Sequence, residues 1–189
     1  MAAVVQRPLF YVESLESRSP DAIRRVVIHA TELPDMAAAR EYGERVLYPS
    51  GTGNSGHFYI DRDGRIEQWV PLDRAAHHVR GQNVDSVGIE LVNRGRWPNW
   101  YASDDQDWSE SYPPAQIQAL IELLNKLQDE LPSLSEIAGH DQLDTDLIEA
   151  SDAPGLRVQR KLDPGPLFPW PEVLEATGLR RLPQQEIAP

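Results

Sequence analysis

Apolar residues along this chain fall into short β-branched runs and one long helical stripe. Arg25-Val26-Val27-Ile28-His29-Ala30 has strand length and reads as a buried strand. Residues 34–47 carry apolar side chains at Met36, Ala39, Tyr42, Val46 and Leu47, and Pro34 suits a first turn, so a helix is expected. Residues 48–56 read as a flexible loop. They contain a literal G-x-G-x-x-G, but it follows a helix and precedes a strand, the reverse of a dinucleotide site. Residues 57–60 and 65–70 flank Asp61-Arg62-Asp63-Gly64 and predict a hairpin. The remaining ligands of a calcium loop are missing there, so the turn reading wins.

Further on, Ser86-Val87-Gly88-Ile89-Glu90-Leu91-Val92 is another strand, and residues 93–113 form a long polar loop with Trp97, Trp100, Tyr101, Trp108 and Tyr112. From Pro114 to Leu131 the apolar stripe Ile117, Leu120, Ile121, Leu124, Leu127 and Leu131 predicts a core-facing helix. Residues 136–140 return to the core, 141–160 read as a second long, charged loop, and 171–177 as a short helix. The expected fold class is mixed α/β: one domain over 1–189, a central mixed β-sheet flanked by helices. Its core covers about 24–178, with an N-terminal arm over 1–23 and a loose tail over 180–189.

Composition narrows the function. With 189 residues the chain suits one domain, and with no cysteine it has neither a disulfide scaffold nor a thiolate metal site or nucleophile. Lys+Arg 18 against Asp+Glu 30 gives a net charge of -12, which repels phosphate backbones, so no nucleic-acid partner is expected. No apolar run approaches a membrane span, so no membrane partner is expected either. Residues 1–8 lack the apolar core of a signal peptide, which reads as cytoplasmic. A periplasmic or secreted protein whose leader had been removed would look the same.

The candidate chemistry centres on histidines and carboxylates. His29 ends an apolar strand and His140 follows Gly139 at an element end. Either could be a satisfied core residue; two so placed raise the prospect of a shared metal without deciding it. In Lys161-Leu162-Asp163-Pro164-Gly165-Pro166 two prolines force an extended chain, so Lys161 and Asp163 face the same side. A carboxylate ligand beside a cationic donor explains that rigidity better than a surface ion pair. Glu90 sits inside an apolar strand, sharing a face with Gly88 and Val92. A carboxylate there costs several kcal/mol unless paired, for instance with Arg94, or functional. His29, His140 and Asp163 then make three N/O ligands, with Glu90 as a base and Lys161 as a charge stabiliser, the open-site pattern of zinc hydrolases.

On these residues the sequence resembles zinc-dependent N-acetylmuramoyl-L-alanine amidases of the type 2 family, relatives of peptidoglycan recognition proteins and of the bacterial enzyme that recycles anhydromuropeptides. The matching segments are Val26-Val27-Ile28-His29, Gly56-His57-Phe58-Tyr59-Ile60 with Asp63-Gly64, Ala76-His77-His78, residues 86–91, Gly139-His140, and Lys161 through Trp170. The resemblance implies zinc, one per chain, on His29, His140 and Asp163, with Glu90 and Lys161 catalytic. It implies that His78 lines the substrate pocket, while His77 stands where relatives often have Trp. Some branches place a tyrosine where this chain has Gly56, which leaves acid/base work to Glu90; His57 reads as structural.

The implied reaction is cleavage of the amide between N-acetylmuramic acid, or its anhydro form, and L-Ala of the peptidoglycan stem peptide. The expected partners are peptidoglycan fragments (muropeptides) or peptidoglycan itself, and the expected state is a monomer. Trp97 and Trp100 are candidate substrate-binding rings, with Trp108 of the same loop offering a third aromatic face, and packing of the loop is the competing account. A non-catalytic muropeptide-binding module and a two-carboxylate glycosidase are the rival readings. The glycosidase needs a second acid near Glu90 and no metal.

Overall fold

Strands covered on both faces read as near-continuous apolar runs. The structure, a computed structural model describing residues 3–184, puts such runs at the centre of one sheet. In chain order its elements are β1 (Val4–Gln6), β2 (Arg25–Ala30), α1 (Met36–Gly43), β3 (Phe58–Ile60), β4 (Ile66–Gln68) and β5 (Ser86–Leu91). Then come α2 (Pro114–Glu130), β6 (Glu136–Gly139), α3 (His140–Leu143), β7 (Leu147–Glu149), β8 (Arg157–Gln159), α4 (Trp170–Thr177) and β9 (Arg180–Arg181). The main sheet has the order β1-β4-β3-β5-β2-β6-β9; β3, β5, β2, β6 and β9 are mutually parallel, and β4 turns antiparallel through the Asp-Gly hairpin.

The two faces bury different residues. Val26, Ile28, Val87, Ile89, Leu91 and Ile137 meet the apolar stripe of α2, so the expected helix and its facing are as the periodicity indicates. Gln116 is fully buried, and its Nε2 donates to the carbonyls of Ile60 (2.9 Å) and Val92 (3.1 Å), fastening α2 to the strand ends. On the opposite face, Tyr59 and Val92 pack with Leu9, Tyr11, Leu15, Leu33, Met36 and Trp69. No helix among the described residues is long and apolar enough to cross a membrane.

Several segments differ from their sequence expectation. The N-terminal stretch is no free arm: β1 pairs with β4, and Leu9, Tyr11 and Leu15 are core residues. The first helix starts at Met36, because the Asp35 side chain caps it by accepting from the Ala38 amide at 2.8 Å. It stops at Gly43, so Val46 and Leu47 lie exposed on the following loop. Residues 141–160 are not one loop but α3 followed by the antiparallel hairpin β7–β8. The tip of that hairpin clasps the 93–113 loop. The Ser151 amide donates to the Tyr101 carbonyl (2.8 Å), and Asp152 accepts from the Ser103 amide (2.7 Å) and hydroxyl (3.0 Å). In the expected tail, Arg180–Arg181 adds an edge strand beside β6; residues 185–189 lie outside the described residues.

Gly88 carries one close packing constraint. A Cβ built there would stand 2.5 Å from Cγ and 2.7 Å from Nδ1 of His78, whose ring lies directly against β5. Gly88→Ala is therefore expected to cost about 1–3 kcal/mol by overpacking, read as a lower midpoint of thermal unfolding. An unchanged midpoint would show that the His78 ring gives way freely.

Candidate metal centre and active site

The sheet register assembles the site. In the β2–β5 ladder His29 lies opposite Glu90, and in the β2–β6 ladder Ile28 lies opposite Gly139, so His140 emerges one step further, beside His29. Laterally paired residues share a face, and all three side chains leave the carboxyl ends of parallel strands, where open α/β sheets bind ligands. Asp163 arrives from the long connection after β8. Its backbone carbonyl accepts from the Asp141 amide (2.9 Å), Tyr112 donates its hydroxyl to the Pro164 carbonyl (2.6 Å), and the Trp108 indole packs against Gly165. Gly165 has φ +81°, and a Cβ there would stand 2.5 Å from the indole.

Three donor atoms converge. His29 Nδ1 lies 3.0 Å from His140 Nδ1 and 3.1 Å from Asp163 Oδ2, and His140 Nδ1 is 3.1 Å from the same oxygen. The hydrogen bonds around them settle the tautomer of His29. Ser86 Oγ donates to the Gln82 carbonyl, so it accepts from His78 Nε2 at 3.1 Å. His78 Nδ1 is then the acceptor for His29 Nε2–H at 3.0 Å, which leaves His29 Nδ1 unprotonated. Burial holds His140 below the usual imidazole range in spite of Asp163, and burial with the nearby His29 holds His78 well below it. Burial opposes the charge on Asp163, yet His140, His29 and Lys161 outweigh it and keep the carboxyl well below its usual range.

These residues fit a bound cation. Asp163 Oδ1 is buried without a hydrogen-bond partner among the described residues, and a bare imidazole nitrogen faces the carboxylate. A tetrahedral ion with bonds of about 2.0–2.1 Å sets its ligands roughly 3.3 Å apart, close to the spacing found. His29, His140 and Asp163 are also the group of His, Asp and Glu side chains among the described residues that could together hold an ion.

Glu90 and Lys161 border the same cavity, of about 720 Å³. The Glu90 carboxylate is 3.9 Å from His29 Nδ1, and burial raises its pKa. It has no ion pair with Arg94, whose guanidinium lies 5.2 Å over the Trp97 ring instead. Gly56 makes room for it: a Cβ there would stand 2.8 Å from Glu90 Cγ. Lys161 is half-buried and makes no hydrogen bond or ion pair among the described residues, so its ammonium is free to meet a ligand.

The aromatic residues divide. Trp100 lines the cavity with Tyr42, Tyr48, His77 and Tyr101. Trp97 does not, although both rings pack on the core residues of that sheet face around Leu33, Met36 and Trp69. Trp108 is core, 7% exposed. His78 borders the cavity, but both its nitrogens are used within the protein. His57 is fully buried: its Nδ1 accepts from the Gly88 amide (3.0 Å), and its Nε2 lies 2.7 Å from the Arg18 guanidinium and 3.0 Å from the Arg74 carbonyl, so both nitrogens are engaged within the protein. Two residues without any signal in the sequence pattern, Glu32 and Arg96, form a buried ion pair at the cavity's edge, with Arg96 Nε 2.7 Å from Glu32 Oε1.

The chain is similar to several known proteins. The chain is 37% identical over 119 residues to the N-acetylmuramoyl-L-alanine amidase AmiD of Escherichia coli, which covers 59% of this chain and 37% of that protein. It is 30% identical over 126 residues to the 1,6-anhydro-N-acetylmuramyl-L-alanine amidase AmpD of Salmonella typhimurium, covering 62% of this chain and 54% of the relative. The chain thus spans about half, or less, of the length of the curated relatives it matches. Among solved structures, the complex of the Escherichia coli AmiD with anhydro-N-acetylmuramic acid-L-Ala-D-gamma-Glu-L-Lys superposes with a TM-score of 0.63 at 27% identity, covering 84% of this chain and 58% of that one. A family profile described as N-acetylmuramoyl-L-alanine amidase matches residues 19–166. With that profile running through most of its length, the chain belongs to the type 2 N-acetylmuramoyl-L-alanine amidase family.

Proposed function

We propose that the chain is a zinc-dependent hydrolase of the amide joining the lactyl group of N-acetylmuramic acid, or its anhydro form, to L-Ala of the stem peptide. One observation carries the reading: two histidine nitrogens and one carboxylate oxygen lie within 3.1 Å of one another, in a cavity that Glu90 and Lys161 also line. His29, His140 and Asp163 would hold one zinc, which when bound supplies a Lewis acid for the carbonyl and brings the pKa of a water towards about 7. Glu90 takes the proton from the attacking water as the oxygen adds to the lactyl carbonyl. It then returns a proton to the alanine nitrogen as the C–N bond breaks, a return that its burial-raised pKa eases. Lys161 meets the carbonyl oxygen as negative charge grows on it. It is one of only two lysines in a chain whose Lys+Arg total is 18, the other being Lys126.

The glycosidase reading loses support, because both carboxylates near Glu90 are otherwise engaged: Asp163 lies 3.1 Å from His29 and His140, and Glu32 pairs with Arg96. The net charge of -12 gives no attraction to an anionic wall and favours soluble muropeptides, in keeping with a monomer and a cytoplasmic location. A digest of purified sacculi beside anhydromuropeptides, analysed by mass, tests the reading: released stem peptide supports it, whereas cut glycan chains or unchanged substrate reject it.

Purified protein is expected to carry about one zinc, to lose activity on chelation and to regain it with zinc. Full activity after verified metal removal would reject the metal assignment. Glu90→Gln and Lys161→Ala should both retain zinc while turnover falls, by about 10²–10⁴-fold for the lost base. Wild-type turnover in either variant removes that residue from the mechanism. Trp100→Ala should raise KM and lower the unfolding temperature less than Trp108→Ala does, since truncating a fully buried ring of that size costs about 3–5 kcal/mol. An unchanged KM in folded Trp100→Ala protein would show that the ring only packs the loop.

A further inference from the structure

The buried Glu32–Arg96 pair is built around the segment that carries Lys161. A guanidinium has five N–H groups, and all five of Arg96 find acceptors. Nε donates to Glu32 Oε1 (2.7 Å), Nη1 to Gln106 Oε1 (3.2 Å) and the Gln159 carbonyl (2.9 Å), and Nη2 to Glu32 Oε2 (3.0 Å) and the Arg160 carbonyl (3.2 Å). The Arg160 carbonyl belongs to the same peptide plane as the Lys161 nitrogen. The side chain of Arg160 is itself tied to Asp144, so the residue before Lys161 is held at both ends.

Glu32 is fixed as tightly. It is the one non-glycine residue with positive φ among the described residues (49°), and its carboxylate also accepts from the Arg96 amide (3.2 Å). Its carbonyl takes the Trp100 indole N–H (2.9 Å). Gly95 makes the approach possible, since a Cβ there would stand 2.7 Å from Glu32 Cγ. Glu32 lies three residues past His29 and Arg96 six past Glu90, so the pair joins the ends of β2 and β5 to the chain leading into Lys161. A buried ion pair is a poor source of stability, because desolvation offsets its attraction; holding three segments in one geometry is a use that fits it.

From this we infer that Glu32 and Arg96 are positioning residues for Lys161, setting its ammonium against the carbonyl oxygen of the substrate. The inference rests on the catalytic role given to Lys161 above. The test uses two variants, each in the wild-type and the Lys161→Ala background: the isosteric Glu32→Gln, and the double replacement Glu32→Leu with Arg96→Met, an apolar swap of a kind that buried pairs tolerate. Zinc content, unfolding temperature, kcat and KM are measured on each. The environment of Lys161 is read independently from ¹³C-methylated lysine resonances, with Lys126 as the internal reference.

Both variants should keep zinc and lose kcat by between about tenfold and a hundredfold, with KM nearly constant, as small misplacements of a catalytic group do. In the Lys161→Ala background the same changes should alter kcat less than about twofold, since groups acting through one another are not additive. The Lys161 resonance should move while that of Lys126 stays. An unmoved Lys161 signal in folded protein, or equal losses in both backgrounds, would overturn the inference and leave the amidase reading intact. A wild-type protein that releases no peptide would instead overturn the amidase reading, and the resonance would still judge whether the pair sets Lys161.

Discussion

A parallel ladder has little freedom once a single rung is set. Pairing Val26 with Val87 and Ile137 buries three β-branched side chains against α2, and a slip of one residue would turn every apolar group of β2 to the wrong face. That same register leaves His29 opposite Glu90 and brings His140 out beside it. The site thus inherits its geometry from the packing of the opposite face. Hydrophobic burial on one side of the sheet places polar chemistry on the other, with no separate interaction needed to bring the strand-borne groups together.

Charge inside such a cleft is held by neighbours of matched kind. His29 hands its Nε2 proton to His78, which hands its own to Ser86, and the nitrogen left bare faces a carboxylate. Asp163 stays ionised among imidazoles, while Glu90, with no arginine against it, is pushed towards its protonated form by burial. Two carboxylates of one cavity thus receive opposite treatment from their surroundings. Arginine handles the fixed charges, as in Glu32–Arg96 and Arg62–Glu110.

Much of this was legible in the sequence wherever a local pattern exists. Period-two alternation in residues 86–92 already separates Glu90 from Ile89 and Leu91, and the structure puts the latter two against α2. The prolines around Asp163 announce a rigid segment, and both Lys161 and Asp163 border the cavity. What stayed hidden lacks such a pattern. Glu32 and Arg96 are 64 residues apart and meet through a left-handed glutamate that no periodicity marks. Strands of two or three residues such as β7, β8 and β9 are too short to alternate visibly. The loop tryptophans look alike on paper. Trp108 is buried because Gly165 leaves a flat surface for it, and Trp97 and Trp100 are separated only by the path of the loop.

The clasp between the β7–β8 tip and the 93–113 loop has an evolutionary consequence. Ser151 and Asp152 hold Tyr101 and Ser103 through backbone groups and one short acidic side chain. A lineage that lengthens or trims either loop alone would strand the bonding groups of the other at the mouth of the cleft. Inherited changes in length are therefore expected to come in pairs, and the shape of that mouth to diverge as a single trait.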